Sequence, residues 1–225
     1  MMITDFRRCL TIVVACTALA AGSRVAVAQT IDTRTGESSA GSIATGFGQS
    51  FTAPAGTSTL QQFSFWIASG GSDLMTSYEA FVMQWNGASP FGEVLYSSGP
   101  LDTPICCPLM RVDFETGDLA VTPGSEYIAF LLRTSGNITY SRVRQGGEWF
   151  DSYAGGAALF AHSCGNDEST FLETCSWNES GVADIDTEFV ATFASAASVP
   201  EPNELALVVT GMVVLIGLQR GRQRA

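Results

Sequence analysis

The feature that most constrains this fold is a series of short segments where apolar and polar residues alternate, each closed by Gly, Pro or Asn. The clearest runs from Thr59 to Ala68, with Phe63, Phe65 and Ile67 on one face and Ser64 and Trp66 on the other. A period of two is the pattern of a strand buried on one side. Tyr78 to Trp85 alternates in the same way and ends at Asn86-Gly87 and Ser89-Pro90, residues that supply turn geometry or remove a backbone donor. Further strands are predicted from Gln49 to Thr52, Val94 to Ser97, Arg111 to Glu115, Leu119 to Val121, Tyr127 to Arg133 and Ile138 to Arg144. The last of these carries Ile138, Tyr140, Arg142 and Arg144 on one side. Near the end, Ile185, Phe189 and Phe193 share a face opposite Asp184, Asp186 and Glu188. Thr30 to Gly48 is rich in Ser, Thr, Gly and Ala without apolar periodicity, and reads as a loose lead-in. About eight or nine strands, no amphipathic helix and no long repeat make an all-β domain, an antiparallel β-sandwich of jelly-roll type.

The two ends of the chain have a different character. Met1 to Ala28 reads as a secretory signal peptide. Arg7 and Arg8 form its cationic start, Cys9 to Ala21 its apolar stretch, and Ala26-Val27-Ala28 a small-x-small cleavage site that leaves Gln29 first. The other end begins Val199-Pro200-Glu201-Pro202, where two prolines fix φ and remove two donors, so the segment stays extended. Leu205 to Leu218 then gives 14 residues without a charge, and Arg220, Arg222 and Arg224 close the chain. That block is shorter than the roughly 20 residues of a full bilayer span. Snorkelling of the flanking arginines and local thinning of the bilayer would make up part of the difference. The arginines would stay on the cytoplasmic side.

This tail resembles the PEP-CTERM sorting signal of Gram-negative bacteria that make exopolysaccharide. The order and spacing of its three parts agree over Val199 to Ala225, although Gly221 and Gln223 dilute the basic cluster and Glu204 precedes the apolar block. The resemblance implies recognition by an exosortase, a membrane cysteine transpeptidase, with processing near Pro200-Glu201-Pro202. It also implies transient association with the inner membrane through a C-terminal transmembrane sorting helix, then delivery to the cell surface or the extracellular matrix. Three domains follow: a signal peptide (1–28), an exported β-sandwich (29–198) and a sorting tail (199–225). The phrases Phe51-Thr52-Ala53-Pro54 and Val121-Thr122-Pro123-Gly124-Ser125-Glu126-Tyr127 are similar to exported β-sandwich modules that precede such tails.

Charge narrows the partners. The chain has 11 basic and 22 acidic residues. Between Gln29 and Ser198, five arginines stand against 19 carboxylic side chains, and there is no lysine. Such a domain repels phosphate backbones and anionic headgroups, which argues against nucleic acid. Four cysteines remain after the signal peptide: Cys106, Cys107, Cys164 and Cys175. In an oxidising compartment an even number suggests disulfides. Cys164 with Cys175 is one pairing, leaving Cys106 and Cys107 as a vicinal bridge or free thiols; a crossed pairing is the alternative. Adjacent cysteines are poorly placed to ligate one tetrahedral zinc.

Candidate sites are few. His162 is the single histidine, so a Ser-His-Asp arrangement would depend on it, and Gly36-Glu37-Ser38-Ser39-Ala40 lacks the strand-turn-helix context of a nucleophile elbow. No catalytic residue is assigned, and the domain is expected to be non-enzymatic. The alternative is a secreted glycan hydrolase using a pair among Glu148, Asp151, Asp167 and Glu173. Asp184, Asp186 and Glu188 on one strand face would suit calcium with loop carbonyls; no other cofactor is implied. Trp66, Trp149 and Tyr153 are candidate ligand-binding aromatics, since aromatic faces stack on sugar rings and Gly147 to Tyr153 reads as a loop. Exopolysaccharide is the corresponding partner.

Overall fold

The computed structural model describes residues 28–43, 45–69, 76–103, 108–162, 175–179 and 185–195. These belong to a compact unit spanning Val27–Ala196. Among the described residues, all pairings are antiparallel and two seven-stranded sheets form, with no helix. The domain is therefore an antiparallel β-sandwich. The segment read as a sorting tail and nearly all of the one read as a signal peptide lie outside the described residues.

The first sheet holds β1 (Gln29–Asp32), β2 (Glu37–Ile43), β4 (Thr57–Ser69), β8 (Met110–Ala120), β10 (Ile138–Gln145), β11 (Glu148–Trp149) and β14 (Phe189–Ser195). The second holds β3 (Gly46–Thr52), β5 (Ser77–Trp85), β6 (Pro90–Ser97), β7 (Leu101–Asp102), β9 (Glu126–Ser135), β12 (Ala158–His162) and β13 (Ser176–Glu179). The long strand β4 pairs along one edge with β8; along its other edge it meets β14 up to Phe65 and β10 from Ile67. The first sheet thus forks. Residues 185–188 close the fork, with Val143 N donating to Asp186 O (2.9 Å) and Glu188 N to Ser141 O (3.0 Å).

The alternation in β4 is realised as read. Phe63, Phe65 and Ile67 are buried and Trp66 is half-buried on the opposite face. Between the sheets the core is aromatic. Phe47 stacks on Tyr140 at 4.7 Å, Phe63 on Phe114 at 4.8 Å, and Phe65 meets Phe189 at 5.2 Å. Full burial of each such ring contributes about 1.5–3 kcal/mol before entropy is counted. β9 is apolar on both sides: Tyr127, Ala129 and Leu131 join the inter-sheet core, while Ile128, Phe130 and Leu132 join a second cluster with Phe81, Met83, Trp85 and Leu159. A strand buried on both faces reads as a continuous apolar run.

Two expectations need correction. Thr30 to Gly48 is not a loose lead-in; it contains β1, β2 and the start of β3. Arg111 to Glu115 and Leu119 to Val121 are not two strands. They lie along one strand, β8, which carries Gly117 and Asp118 at positive φ (65° and 62°), with a shift of register opposite them between Leu60 and Gln62. A bulge keeps the ladder going where the sequence suggested a break. The two phrases quoted for their likeness to exported modules come together: Phe51 stands opposite Tyr127, Ala53 N donates to Ser125 O (2.9 Å) and Gly124 N to Ala53 O (2.8 Å).

Candidate functional site

Among the described residues, the most connected polar side chain sits at the fork. Asp186 is completely buried. Its Oδ1 accepts from Gln49 Nε2 (2.6 Å), and its Oδ2 from Ser152 N (2.8 Å), Ser152 Oγ (2.9 Å) and Tyr153 N (2.9 Å). Gln49 Oε1 in turn accepts from Thr187 N (2.9 Å) and Thr187 Oγ1 (3.1 Å). Thr33 Oγ1 accepts from Phe189 N (2.8 Å) and reaches Thr187 O (2.6 Å). Backbone that leaves a regular ladder inside a core must find other partners, and the side chains of Asp186, Gln49 and Thr33 supply them. Burial pushes the Asp186 carboxyl up to about 6, although the hydrogen bonds from Ser152 and Gln49 pull it down.

This geometry bears on the calcium expectation for two of its three residues. Asp186 and Glu188 are not on a solvated strand face; both are buried, because residues 185–188 are covered where the sheet forks. Both oxygens of Asp186 are engaged by protein donors, and Asp184 lies outside the described residues. Among the described residues, no group of three acidic, histidine or cysteine side chains is placed to hold a metal.

The three candidate aromatics occupy two different settings. Trp66 lies on the outer face of β4 between two guanidinium groups, Arg34 at 5.1 Å and Arg111 at 5.5 Å from its ring centre. Both cations are neutralised by neighbours, through Arg34 Nη2 to Asp32 Oδ2 (2.6 Å) and Arg111 Nε to Asp113 Oδ1 (2.6 Å). The Arg34 guanidinium, by hydrogen bonding, holds Asp32 below the usual carboxylate range. Trp149 on β11 lies between Arg142 at 5.0 Å and Arg144 at 5.1 Å. Cation–π pairs of this type contribute about 0.5–1 kcal/mol when exposed. Each ring therefore has two guanidiniums packed against it.

Tyr153 belongs to the stretch from Phe150 to Ala157 that crosses the end of the sandwich. Its hydroxyl donates to Thr52 O and accepts from Thr52 N, both at 3.2 Å. Its ring borders a shallow groove of about 520 Å³ with Ile31, Ala53, Pro54 and Pro123. Burial pushes the Tyr153 phenol up. Gly156 lets this stretch rest on β3: a Cβ there would fall 1.8 Å from Ser50 O.

Among the acids considered for hydrolysis, Glu148 and Asp151 are exposed, and Asp167 and Glu173 lie outside the described residues. His162 ends β12. Cys175 is disulfide-bonded; Cys106, Cys107 and Cys164 lie outside the described residues. So do Ala26 and the motif Val199, Pro200, Glu201 and Pro202, while Ala28 is exposed and Gln29 opens β1. The role of Gln49 and Ser152 was not read from the sequence. The one available signal is Gln49 standing between Phe47 and Phe51 on a single strand face.

No family model and no curated protein matches the sequence. Among solved structures, the chain is similar to a clostridial cysteine protease, Cwp84, after propeptide cleavage. The TM-score is 0.49 at 11% identity, covering 75% of this chain and 40% of that one. A second similar structure holds the cysteine protease and lectin-like domains of Cwp84, a surface layer associated protein of Clostridium difficile. Its TM-score is 0.45 at 12% identity, covering 68% of this chain and 32% of that one. A third is infectious bursal disease virus, Gx strain, with a TM-score of 0.24 at 10% identity over 78% of this chain and 38% of that one. Likeness at this level carries no activity, substrate or partner to this chain.

Proposed function

We propose that this is an exported protein of the cell envelope or exopolysaccharide matrix, sorted by an exosortase. Its β-sandwich acts structurally or as a weak glycan-binding module, without catalysis. Support for the route comes from the sequence of the two ends: an apolar signal with a small-x-small cleavage site, and a Pro-Glu-Pro, apolar, Arg-ended tail. Support for the role of the domain comes chiefly from one observation. Trp66 and Trp149 are half-buried on strands of a rigid sheet, each oriented by a pair of arginines. Binding groups on strands are held more firmly than groups on loops. The buried carboxylate that would be the natural candidate for acid chemistry, Asp186, is committed to holding backbone at the fork.

The purified protein should be retarded during native electrophoresis in gels containing the producer's own polysaccharide, compared with gels lacking it. Mobility that is unchanged, with or without calcium, removes the glycan-binding role and leaves a structural one.

A further inference from the structure

The five arginines of the domain are not equivalent. Arg34 and Arg111 are paired to carboxylates at 2.6 Å, and Arg133 Nη1 donates to Asn137 Oδ1 at 3.0 Å. Arg142 and Arg144 form no ion pair among the described residues, in a domain where acids outnumber arginines 19 to five. Their Nε atoms are buried and lack a hydrogen-bond partner among the described residues. A buried donor left without an acceptor is costly, and more so on a charged group. Neighbouring acids do not relieve it: Glu37 stands opposite Arg144 in register but accepts from Gly147 N (3.3 Å), and Glu148 is exposed opposite Gln145.

The pair is nonetheless held in place. Ile138, Tyr140, Arg142 and Arg144 alternate onto one face of β10, the first two entering the inter-sheet core. The Arg142 guanidinium lies 5.2 Å from the Tyr140 ring, 5.0 Å from Trp149 and 5.6 Å from Phe160. It occupies space that Gly41 leaves open on β2; a Cβ at position 41 would fall 2.6 Å from Arg142 Nε. Arg144 leans on the same Trp149 ring. A guanidinium braced in this way loses little further freedom when it accepts a bidentate anion.

We propose that Arg142 and Arg144, braced by Trp149 at the end of the sandwich core, bind the carboxylate of an acidic sugar, a uronate unit within a glycan. This deepens the glycan-binding role above and rests on it for the choice of a sugar carboxylate. Trp149 serves to orient the guanidiniums rather than to stack on the ring of the sugar. A chain with a charge on every residue would be repelled by the acidic domain as a whole. A sparse carboxylate meets mainly charges within a screening length of about 8 Å.

The test uses the purified full chain and records its arginine Nε–H resonances during titration with sodium glucuronate, with glucose, and with sodium chloride at matched ionic strength. Two Nε–H signals should move saturably with glucuronate alone, and Arg142→Lys or Arg144→Lys should weaken that response about ten-fold. Thermal melts of both variants check that the fold is retained. Absence of movement with glucuronate, or equal movement with chloride, overturns the site. An affinity gel separates this from the wider role. Retardation that survives reduction of the polysaccharide carboxyls keeps glycan binding and removes the carboxylate site. Glucuronate shifts without any retardation keep the site and remove the matrix role.

Discussion

Replacing Asp186 by Asn tests the polar network at the fork and can be worked through from the structure. In the unfolded chain this carboxyl titrates at its ordinary value of 3.8, and in the folded protein burial pushes it up to about 6. Below about pH 4 the group is protonated in both states and burial of charge costs nothing. Between about pH 4 and pH 6 the folded protein keeps a proton that the unfolded chain has released, so stability falls as pH rises. Above that window both states are ionised and the full penalty, about 3 kcal/mol for two pKa units, is present. D186N removes this titration. It also points an amide donor at Gln49 Nε2, which now donates to Asp186 at 2.6 Å. If Gln49 turned its amide to accept, Thr187 N and Oγ1 would lose their acceptor, a cost of about 1–3 kcal/mol. D186N should therefore be less stable than wild type near pH 4, with the gap closing or reversing towards neutrality. Urea unfolding followed by tryptophan fluorescence, from about pH 4 to about pH 7.5, measures the difference with every other carboxyl held in common. A gap that stays constant or widens with pH would refute the reasoning, since it would mean that the four donors stabilise the anion more than burial opposes it.

Three other outcomes are expected. Gly156→Ala should lower stability by more than about 2 kcal/mol, because its Cβ would meet backbone at Ser50 O rather than a movable side chain; the urea midpoint reads this. Tyr153→Phe should cost about 1 kcal/mol by removing the two bonds to Thr52, leaving polysaccharide retardation unchanged. Cys175→Ser should destabilise by about 2–4 kcal/mol, and reductant should have a similar effect on wild type while leaving the variant's melting temperature in place.

Much of the sandwich is legible in the sequence wherever one strand face is apolar. β4, β5 and β10 show their burial as alternation, and β9 as an unbroken apolar run. The edge strand β2 is illegible for a physical reason. Its sequence, Glu37-Ser38-Ser39-Ala40-Gly41-Ser42-Ile43, has a glycine where an apolar residue would face inward, since Arg142 fills that space. In β3 the inward row is Phe47, Gln49 and Phe51, and the buried Gln hides the pattern. The same network misled the reading of Asp186 and Glu188. Charged residues at alternate positions usually mean solvent, but here they mark backbone that leaves β4 and must be bonded from the side. The row Ile138, Tyr140, Arg142 and Arg144 was visible in the sequence; that Trp149 and Gly41 converge on it was not, because those contacts join three strands.

The sorting route is tested most directly by replacing Pro200-Glu201-Pro202 with three alanines in the producing organism. The mature mass and cellular fraction of the protein are then compared with wild type, and with a strain lacking the exosortase. Both changes should give the same longer, membrane-held form, while wild type is shorter and found at the cell surface or in the matrix. An unchanged mature mass and fraction in either mutant would contradict exosortase sorting.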